Sequence, residues 1–172
     1  MNEFYNFLKD IKGISLRTPT AEELAKLEKI SSNKLPALFT EVYADIMPIE
    51  EVEFSDFVFY DINRIYDENT DYVPGANLLP YGLFTFSSTF DGDSICIDLN
   101  DHNAPVYQCS HSLLSDGSGI SYYKKEMITL EFNYENIIKV SPKLAGSFSE
   151  FIKKLVNNDV TTYSLTDIIH ML

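Results

Sequence analysis

The middle of the chain carries an alternating apolar pattern that narrows the choice of folds more than any other stretch. Within residues 94–99, aliphatic side chains occupy every second position, which is the period of a β-strand. The preceding Asp91-Gly92 dipeptide is a strong signal for a hairpin turn, and residues 83–88 before it are rich in β-forming side chains. A second turn at 100–103 leads to a third predicted strand at 105–110. The sequence therefore predicts an antiparallel meander of three strands.

Apolar residues at three- and four-residue spacing predict helices on both sides of this meander. The predicted helices cover residues 3–12, 20–30, 35–46, 147–156 and 164–172. Three of them begin with capping boxes, in which a hydroxyl side chain precedes an acidic one by three positions: Thr20 with Glu23, Ser147 with Glu150, and Ser164 with Asp167. Helices around a central, mostly antiparallel sheet are typical of the α+β class, which is the predicted fold class.

Turn-forming residues and local composition predict the remaining segments. We expect one strand over 52–60, a short helix over 61–66 capped by Asp61, an acidic loop over 67–71, a turn at Pro74-Gly75, a flexible loop over 115–119 and a further strand over 126–133. No internal repeat or domain boundary interrupts the pattern. We therefore expect residues 1–172 to form a single domain.

The two cysteines and the apolar runs bear on the compartment. Cys96 and Cys109 do not form a CxxC pair, so we expect buried, reduced thiols rather than a disulfide framework or a zinc site. No apolar run resembles a signal peptide or approaches the roughly 20 residues of a membrane span. The expected localisation is the cytoplasm.

The formal net charge is −13, from 26 acidic and 13 basic residues. Such a field repels nucleic acid and anionic membranes, and it attracts a basic protein partner. The chain also has 11 tyrosines, a residue type enriched at protein interfaces. The alternative is that the acidity only keeps the protein in solution.

Two acidic segments are the predicted partner-binding sites. These residues are Asp67, Glu68, Asp71 and Tyr72 in the first segment, and Asp91 and Asp93 in the second. Carboxylates there could contact a basic surface of another protein. The alternatives are a merely solvated loop for the first segment and a merely turn-forming role for the second.

A catalytic or metal-binding site is the alternative to a protein-binding surface. Acidic and histidine side chains cluster in sequence at Asp91, Asp93, Asp98, Asp101, His102 and His111. Their spacing does not match a calcium-binding loop. A Cys109–His111 nucleophile pair would also need a third, orienting group, which the sequence does not mark. We therefore predict no catalytic residue, metal or cofactor, with a small metal-dependent hydrolase as the alternative.

Several short motifs occur in a familiar order. They are Leu24, Leu27 and Glu28 on a capped helix; Leu35-Pro36; Leu79-Pro80-Tyr81-Gly82; the run from Phe90 to Asp98; Pro105-Val106-Tyr107 followed by His111; and the run from Ala145 to Phe151. Their order and spacing resemble the SUKH superfamily, which includes the yeast Smi/Knr regulators of cell-wall glucan synthesis and many bacterial immunity proteins. The resemblance covers about residues 20–157 and leaves helical extensions at both ends.

The resemblance implies an α+β fold with a central sheet, no known enzymatic activity, and a role in binding other proteins. In bacteria those partners are often secreted toxins. We therefore expect a non-enzymatic immunity protein that neutralises a toxin, and the acidic charge would suit a basic toxin domain. The alternative within the family is a regulator or scaffold resembling the yeast members.

Overall fold

The computed structural model describes residues 3–172, and at its centre lies a six-stranded antiparallel sheet. The strands are β1 (Leu16–Arg17), β2 (Met47–Pro48), β3 (Val52–Phe54), β4 (Phe57–Phe59), β5 (Leu83–Thr89), β6 (Ser94–Asp98), β7 (Val106–Cys109), β8 (Gly119–Tyr123), β9 (Met127–Glu131) and β10 (Lys143–Ala145). The order in the central sheet is β10-β7-β6-β5-β4-β3. The pairs β1–β2 and β8–β9 form two smaller sheets.

Helices flank this sheet, which confirms the predicted α+β class. They are α1 (Glu3–Asp10), α2 (Ala21–Ile30), α3 (Ala37–Asp45), α4 (Ile62–Thr70), α5 (Gly75–Leu78), α6 (His111–Leu114), α7 (Tyr134–Lys139), α8 (Phe148–Val156) and α9 (Leu165–Met171). The predicted meander is also confirmed, because β5 pairs with β6 and β6 with β7.

Both faces of the meander are covered, so nearly all of its side chains are buried. On one face, Ile95 and Ile97 of β6 join a cluster that includes residues of α1, α3 and α8. On the opposite face, Cys96 joins a second cluster formed with α6, α7, α9 and the β8–β9 hairpin. The alternation in β6 therefore separates two cores rather than a core from solvent.

Phenylalanine side chains fill the first core. The ring of Phe148 on α8 contacts Phe39 on α3 and Phe86 on β5 with centroid distances of 5.7 and 5.5 Å. These rings meet edge to face, the arrangement that aromatic quadrupoles favour. Burial of each such side chain stabilises the fold by about 1.5–3 kcal/mol. The high phenylalanine content thus serves the core.

The predicted capping residues lie at the starts of α2, α8 and α9. Reciprocal capping boxes form at Thr20 with Glu23 and at Ser164 with Asp167. At α8 the Ser147 hydroxyl accepts from the Glu150 N–H, whereas the Glu150 carboxylate accepts from Gly146 N–H, one residue earlier than in a standard box. All three helix starts thereby satisfy otherwise unpaired N–H groups.

Two predictions between residues 52 and 71 are wrong. The single strand over 52–60 is a hairpin of β3 and β4, since Ser55 adopts a left-handed backbone (φ 55°) and reverses the chain. The acidic loop over 67–71 is mostly helical, because α4 continues from Ile62 to Thr70. A buried contact between Asn69 and the sheet holds this last turn.

Segments later in the chain also differ from the predictions. The strand predicted over 126–133 is β9, and it pairs with the unpredicted strand β8, which begins at the last residue of the predicted 115–119 loop. The predicted Pro74-Gly75 turn opens the short helix α5. A Cβ atom at Gly75 would clash with the carbonyl of Glu68 and crowd the hydroxyl of Thr85, so glycine permits α5 to pack closely there.

Both terminal segments contribute to the cores. Phe4, Phe7 and Leu8 of α1 are buried in the first cluster, and Ile168 of α9 is buried in the second. Within the described residues, none of the helices combines the length and apolar composition that a membrane span requires.

Candidate functional site

The first predicted segment is held in place by Asn69. Its side-chain amide donates to the carbonyls of Ile65 and Thr85, both at 2.7 Å, and its carbonyl accepts from the Thr85 N–H at 2.9 Å. These bonds fix the last turn of α4 against β5. The acidic residues of this turn therefore have defined positions rather than those of a mobile loop.

Glu68 points inward and pairs with Arg64. Its side chain is 7% exposed, and its carboxylate lies 2.6 Å from Arg64 Nη2. Burial raises the pKa of Glu68, and this effect outweighs the attraction of the Arg64 guanidinium. The guanidinium also lies 3.3 Å from the Glu51 carboxylate. Glu68 thus orients Arg64 and is not itself a surface contact.

Arg64 in turn supports an exposed aromatic ring. Its guanidinium carbon lies 4.6 Å from the ring centroid of Tyr72 and 5.5 Å from that of Tyr60. Tyr72 is 48% exposed, and its neighbour Val73 is 42% exposed. Stacking on a charged guanidinium restrains the Tyr72 ring while leaving much of its surface accessible. We call Arg64, Asp71, Tyr72 and Val73 the α4 patch.

The remaining acidic residues of this segment occupy different environments. Asp71 is exposed at the end of α4, beside Tyr72. Asp67 is half-buried and lines a cleft with Glu23 and Lys26 of α2. The structure therefore brings Asp71 and Tyr72 together in the α4 patch but directs Asp67 and Glu68 elsewhere.

The second predicted segment lies at the β5–β6 turn. Gly92 takes a left-handed backbone (φ 91°) there, as the Asp-Gly signal predicts. Asp93 accepts from Gln108 Nε2 and from the His111 N–H, both at 2.8 Å. Asp91 is exposed. Asp93 consequently connects the β5–β6 turn to β7 and to the start of α6, whereas the Asp91 carboxylate faces solvent.

The residues of the alternative metal site lie at opposite ends of β6. Asp93 precedes the strand, while Asp98, Asp101 and His102 lie at or beyond its far end, roughly 17 Å away for five extended residues. The Asp98 carboxylate is buried and accepts from the Tyr134 hydroxyl at 2.6 Å. Among residues 3–172, no three His, Cys, Asp or Glu side chains are grouped to hold a metal ion.

The alternative nucleophile pair is also separated. Cys109 is fully buried in the second core, and His111 is exposed with its Nδ1 3.1 Å from the Ser115 hydroxyl. Within the described part of the chain, no hydrogen bond connects Cys109 to His111. This geometry does not activate the thiol by a neighbouring base.

Sequence reasoning missed the central role of Arg64. A usable signal was present, because Arg64 and Glu68 are four residues apart and would pair on a continuous helix. Ending the predicted helix at residue 66 concealed that spacing. The Tyr60 and Tyr72 rings that flank Arg64 come from outside α4, so only the folded chain brings them together.

The match to known families covers most of the chain. The sequence model of the SMI1 / KNR4 family (SUKH-1) matches residues 18–154, which include α2, α4, the central sheet and most of α8. No curated protein and no solved structure gives a significant match. Because the family match spans well over half of the 172 residues, this chain belongs to the SMI1 / KNR4 family, SUKH-1.

Proposed function

We propose that this chain is an immunity protein that binds a toxin and blocks it by covering part of its surface. Membership of the family implies a protein-binding role, and bacterial members often neutralise toxins. The observation that carries the proposal is the α4 patch, in which an exposed tyrosine stacks on a half-buried arginine beside an exposed aspartate. Ordered tyrosine rings of this kind are frequent energetic centres of protein interfaces.

The charge of the molecule favours a basic partner. With a formal net charge of −13, the protein would attract a positively charged toxin surface and accelerate the encounter. We place this interaction in the cytoplasm. The two cysteines, Cys96 and Cys109, are free and buried, which suits a reducing compartment.

The experiment is affinity capture with the tagged chain, co-expressed with the genes adjacent to its own. A toxin that binds the chain and loses its toxicity on binding would support the proposal. Capture of a cell-wall-synthesis enzyme instead would support the regulator alternative, and capture of no protein from the co-expressed set would contradict both.

The α4 patch predicts which substitution weakens that complex. Tyr72→Ala should reduce affinity by about 2 kcal/mol or more, since it removes the exposed ring at the patch centre. Tyr123→Ala is the matched control, because Tyr123 is 64% exposed on the β8–β9 hairpin, outside the patch. Isothermal titration calorimetry measures both affinities. Equal losses of affinity for the two variants would show that the α4 patch is not the centre of the interface.

A further inference from the structure

A polar cavity of about 410 Å³ lies between the β5–β6 turn and the C-terminal segment. Its walls come from three parts of the chain and include Asp91, Asp93, Ser110, Ser112, Tyr163 and Leu165. Two of these residues are carboxylates, and none of the described residues lining the cavity is lysine or arginine. The cavity therefore carries negative charge that its own lining does not neutralise.

Ser110 gives the cavity an unused polar group. The residue is 1% exposed, it lines the cavity, and its hydroxyl does not cap α6. No other hydrogen bond to this hydroxyl occurs within residues 3–172. A polar group at the wall of a cavity and without a protein partner normally meets water or a ligand. The Ser110 hydroxyl is therefore available to a hydrogen-bonding guest in this cavity.

The carboxylates indicate that the guest is a cation. Asp93 is held rigidly because Gln108 Nε2 and the His111 N–H each bind one of its oxygens at 2.8 Å. Asp91 is exposed and accepts no hydrogen bond from the described residues. Lysine and arginine carry several donors and no acceptor, which suits a lining of carboxylate and hydroxyl oxygens.

Apolar groups beside the carboxylates suit the stem of such a side chain. Leu165, which lines the cavity together with the carboxylates, is 38% exposed. Lysine and arginine bury their methylene groups on apolar surface while the charged end meets polar partners. Leu165 and the acidic lining together match both parts of the side chain.

The C-terminal wall lies outside the region that matches the family. The Gln108 side chain donates to the Tyr163 carbonyl at 2.7 Å and accepts from the Tyr163 N–H at 2.9 Å. This pairing anchors residues 162–165 across the cavity, and they lie beyond the family match, which ends at residue 154. The cavity is consequently built partly from a segment outside the family domain.

We infer that this cavity binds a lysine or arginine side chain projecting from a protein partner. The inference rests on the proposed protein-binding function and adds the chemical group that the protein recognises. Because residues 162–165 form one wall, the C-terminal segment would help to select the partner.

The inference can be tested without the partner by an NMR titration of the full-length ¹⁵N-labelled chain. The probes are Nα-acetyl-lysine methylamide and Nα-acetyl-arginine methylamide, with the uncharged Nα-acetyl-norleucine methylamide as control. We expect saturable shifts at the amides of Ser112, Tyr163 and Leu165, with a dissociation constant in the millimolar range, on the order of that for a single side chain. The norleucine compound should not produce them.

Two variants and a control localise the binding. Asp91→Asn should weaken binding of the basic probes about fivefold, the effect of one partly exposed charge pair, and Ser112→Phe should abolish it by filling the cavity. Asp10→Asn removes the same charge from the exposed end of α1 and should leave the affinity unchanged. The absence of saturable shifts, shifts outside the cavity, or equal weakening by Asp91→Asn and Asp10→Asn would overturn the inference.

The same variants separate this inference from the proposed function. If a captured toxin binds the Asp91→Asn and Ser112→Phe variants as tightly as it binds the unchanged chain, the role of the cavity in binding is refuted. That result would leave the immunity proposal standing. Probe binding in the cavity, with no toxin recovered by co-expression, would support the cavity and contradict the immunity proposal.

Discussion

At the scale of single residues, buried polar side chains determine where the exposed ones lie. Asn69 is 2% exposed and connects α4 to β5 through two hydrogen bonds to the backbone of Thr85. Glu68, close to it in the same turn, orients Arg64, and Arg64 supports Tyr72. The residues that would contact a partner therefore depend on neighbours that would not touch it, as is common for preorganised sites.

Asn69→Ala tests this dependence. The substitution leaves the backbone N–H and carbonyl of Thr85, a fully buried residue, without their Asn69 partner. We expect the free energy of unfolding to fall by about 3 kcal/mol, since each unsatisfied buried group costs about 1–3 kcal/mol. Urea denaturation measures the loss. Asn63→Ala, at an exposed position of the same helix, should change it by less than about 0.5 kcal/mol.

At the scale of elements, the start of α2 combines a capping box with an ion pair. Glu23 accepts from the Thr20 N–H at 2.7 Å, and its carboxylate binds Arg17 with contacts of 2.6 and 2.8 Å. Arg17 lies on β1, so this carboxylate ties the helix to the small β1–β2 sheet. The hydrogen bond from Arg17 is the largest contribution that lowers the pKa of Glu23 to about 2.

This shift predicts how stability depends on acid. The Glu23 carboxylate binds its proton less tightly in the folded chain than in the unfolded chain, where its pKa is near 4.5. The stabilisation is therefore fully present above pH 4.5 and is lost as the pH falls toward 2. We expect Glu23→Gln to be less stable than the unchanged chain at pH 7, with the difference shrinking through that range.

Urea denaturation at a series of pH values checks this expectation. Glu22→Gln is the control, because Glu22 is an exposed residue of the same helical turn whose ion pair with Lys26 lies on the surface. Such a pair contributes at most about 1 kcal/mol. A stability difference for Glu23→Gln that stays constant from pH 7 to pH 2 would contradict the role given to the Arg17–Glu23 pair.

At the scale of the whole molecule, two cores on opposite faces of one sheet leave the acidic charge on the outside. The formal net charge of −13 acts over distances longer than any single contact, and salt screens it with a Debye length of about 10 Å at 0.1 M. The charge should therefore govern how fast a basic partner arrives, whereas packed groups such as Tyr72 govern how long it stays.

Association with the captured toxin should accordingly depend on salt. Raising NaCl from 50 to 500 mM should reduce the association rate constant by about tenfold or more and change the dissociation rate constant much less. Surface plasmon resonance or stopped-flow fluorescence measures both constants. An association rate that does not respond to salt would mean that the acidic field does not steer this partner.

Features whose causes lie within a few residues could be predicted from the sequence alone. The capping boxes at Thr20 and Ser164 and the hairpin turn at Asp91-Gly92 are examples, because a side chain meets backbone groups of its own neighbours there. The alternation in β6 likewise predicted its two faces, and the helical patterns on both sides of the strands predicted the α+β class. The order of short motifs indicated the family, which the match over residues 18–154 confirms.

Features that join distant residues depend instead on how the chain packs in three dimensions. The last turn of α4 depends on Thr85, 16 residues beyond Asn69, and the cavity wall depends on Gln108 and Tyr163, 55 residues apart. Whether a carboxylate is buried like that of Glu68 or exposed like that of Asp91 depends equally on which elements pack around it. Such contacts form only when the chain closes on itself, so local propensity does not encode them.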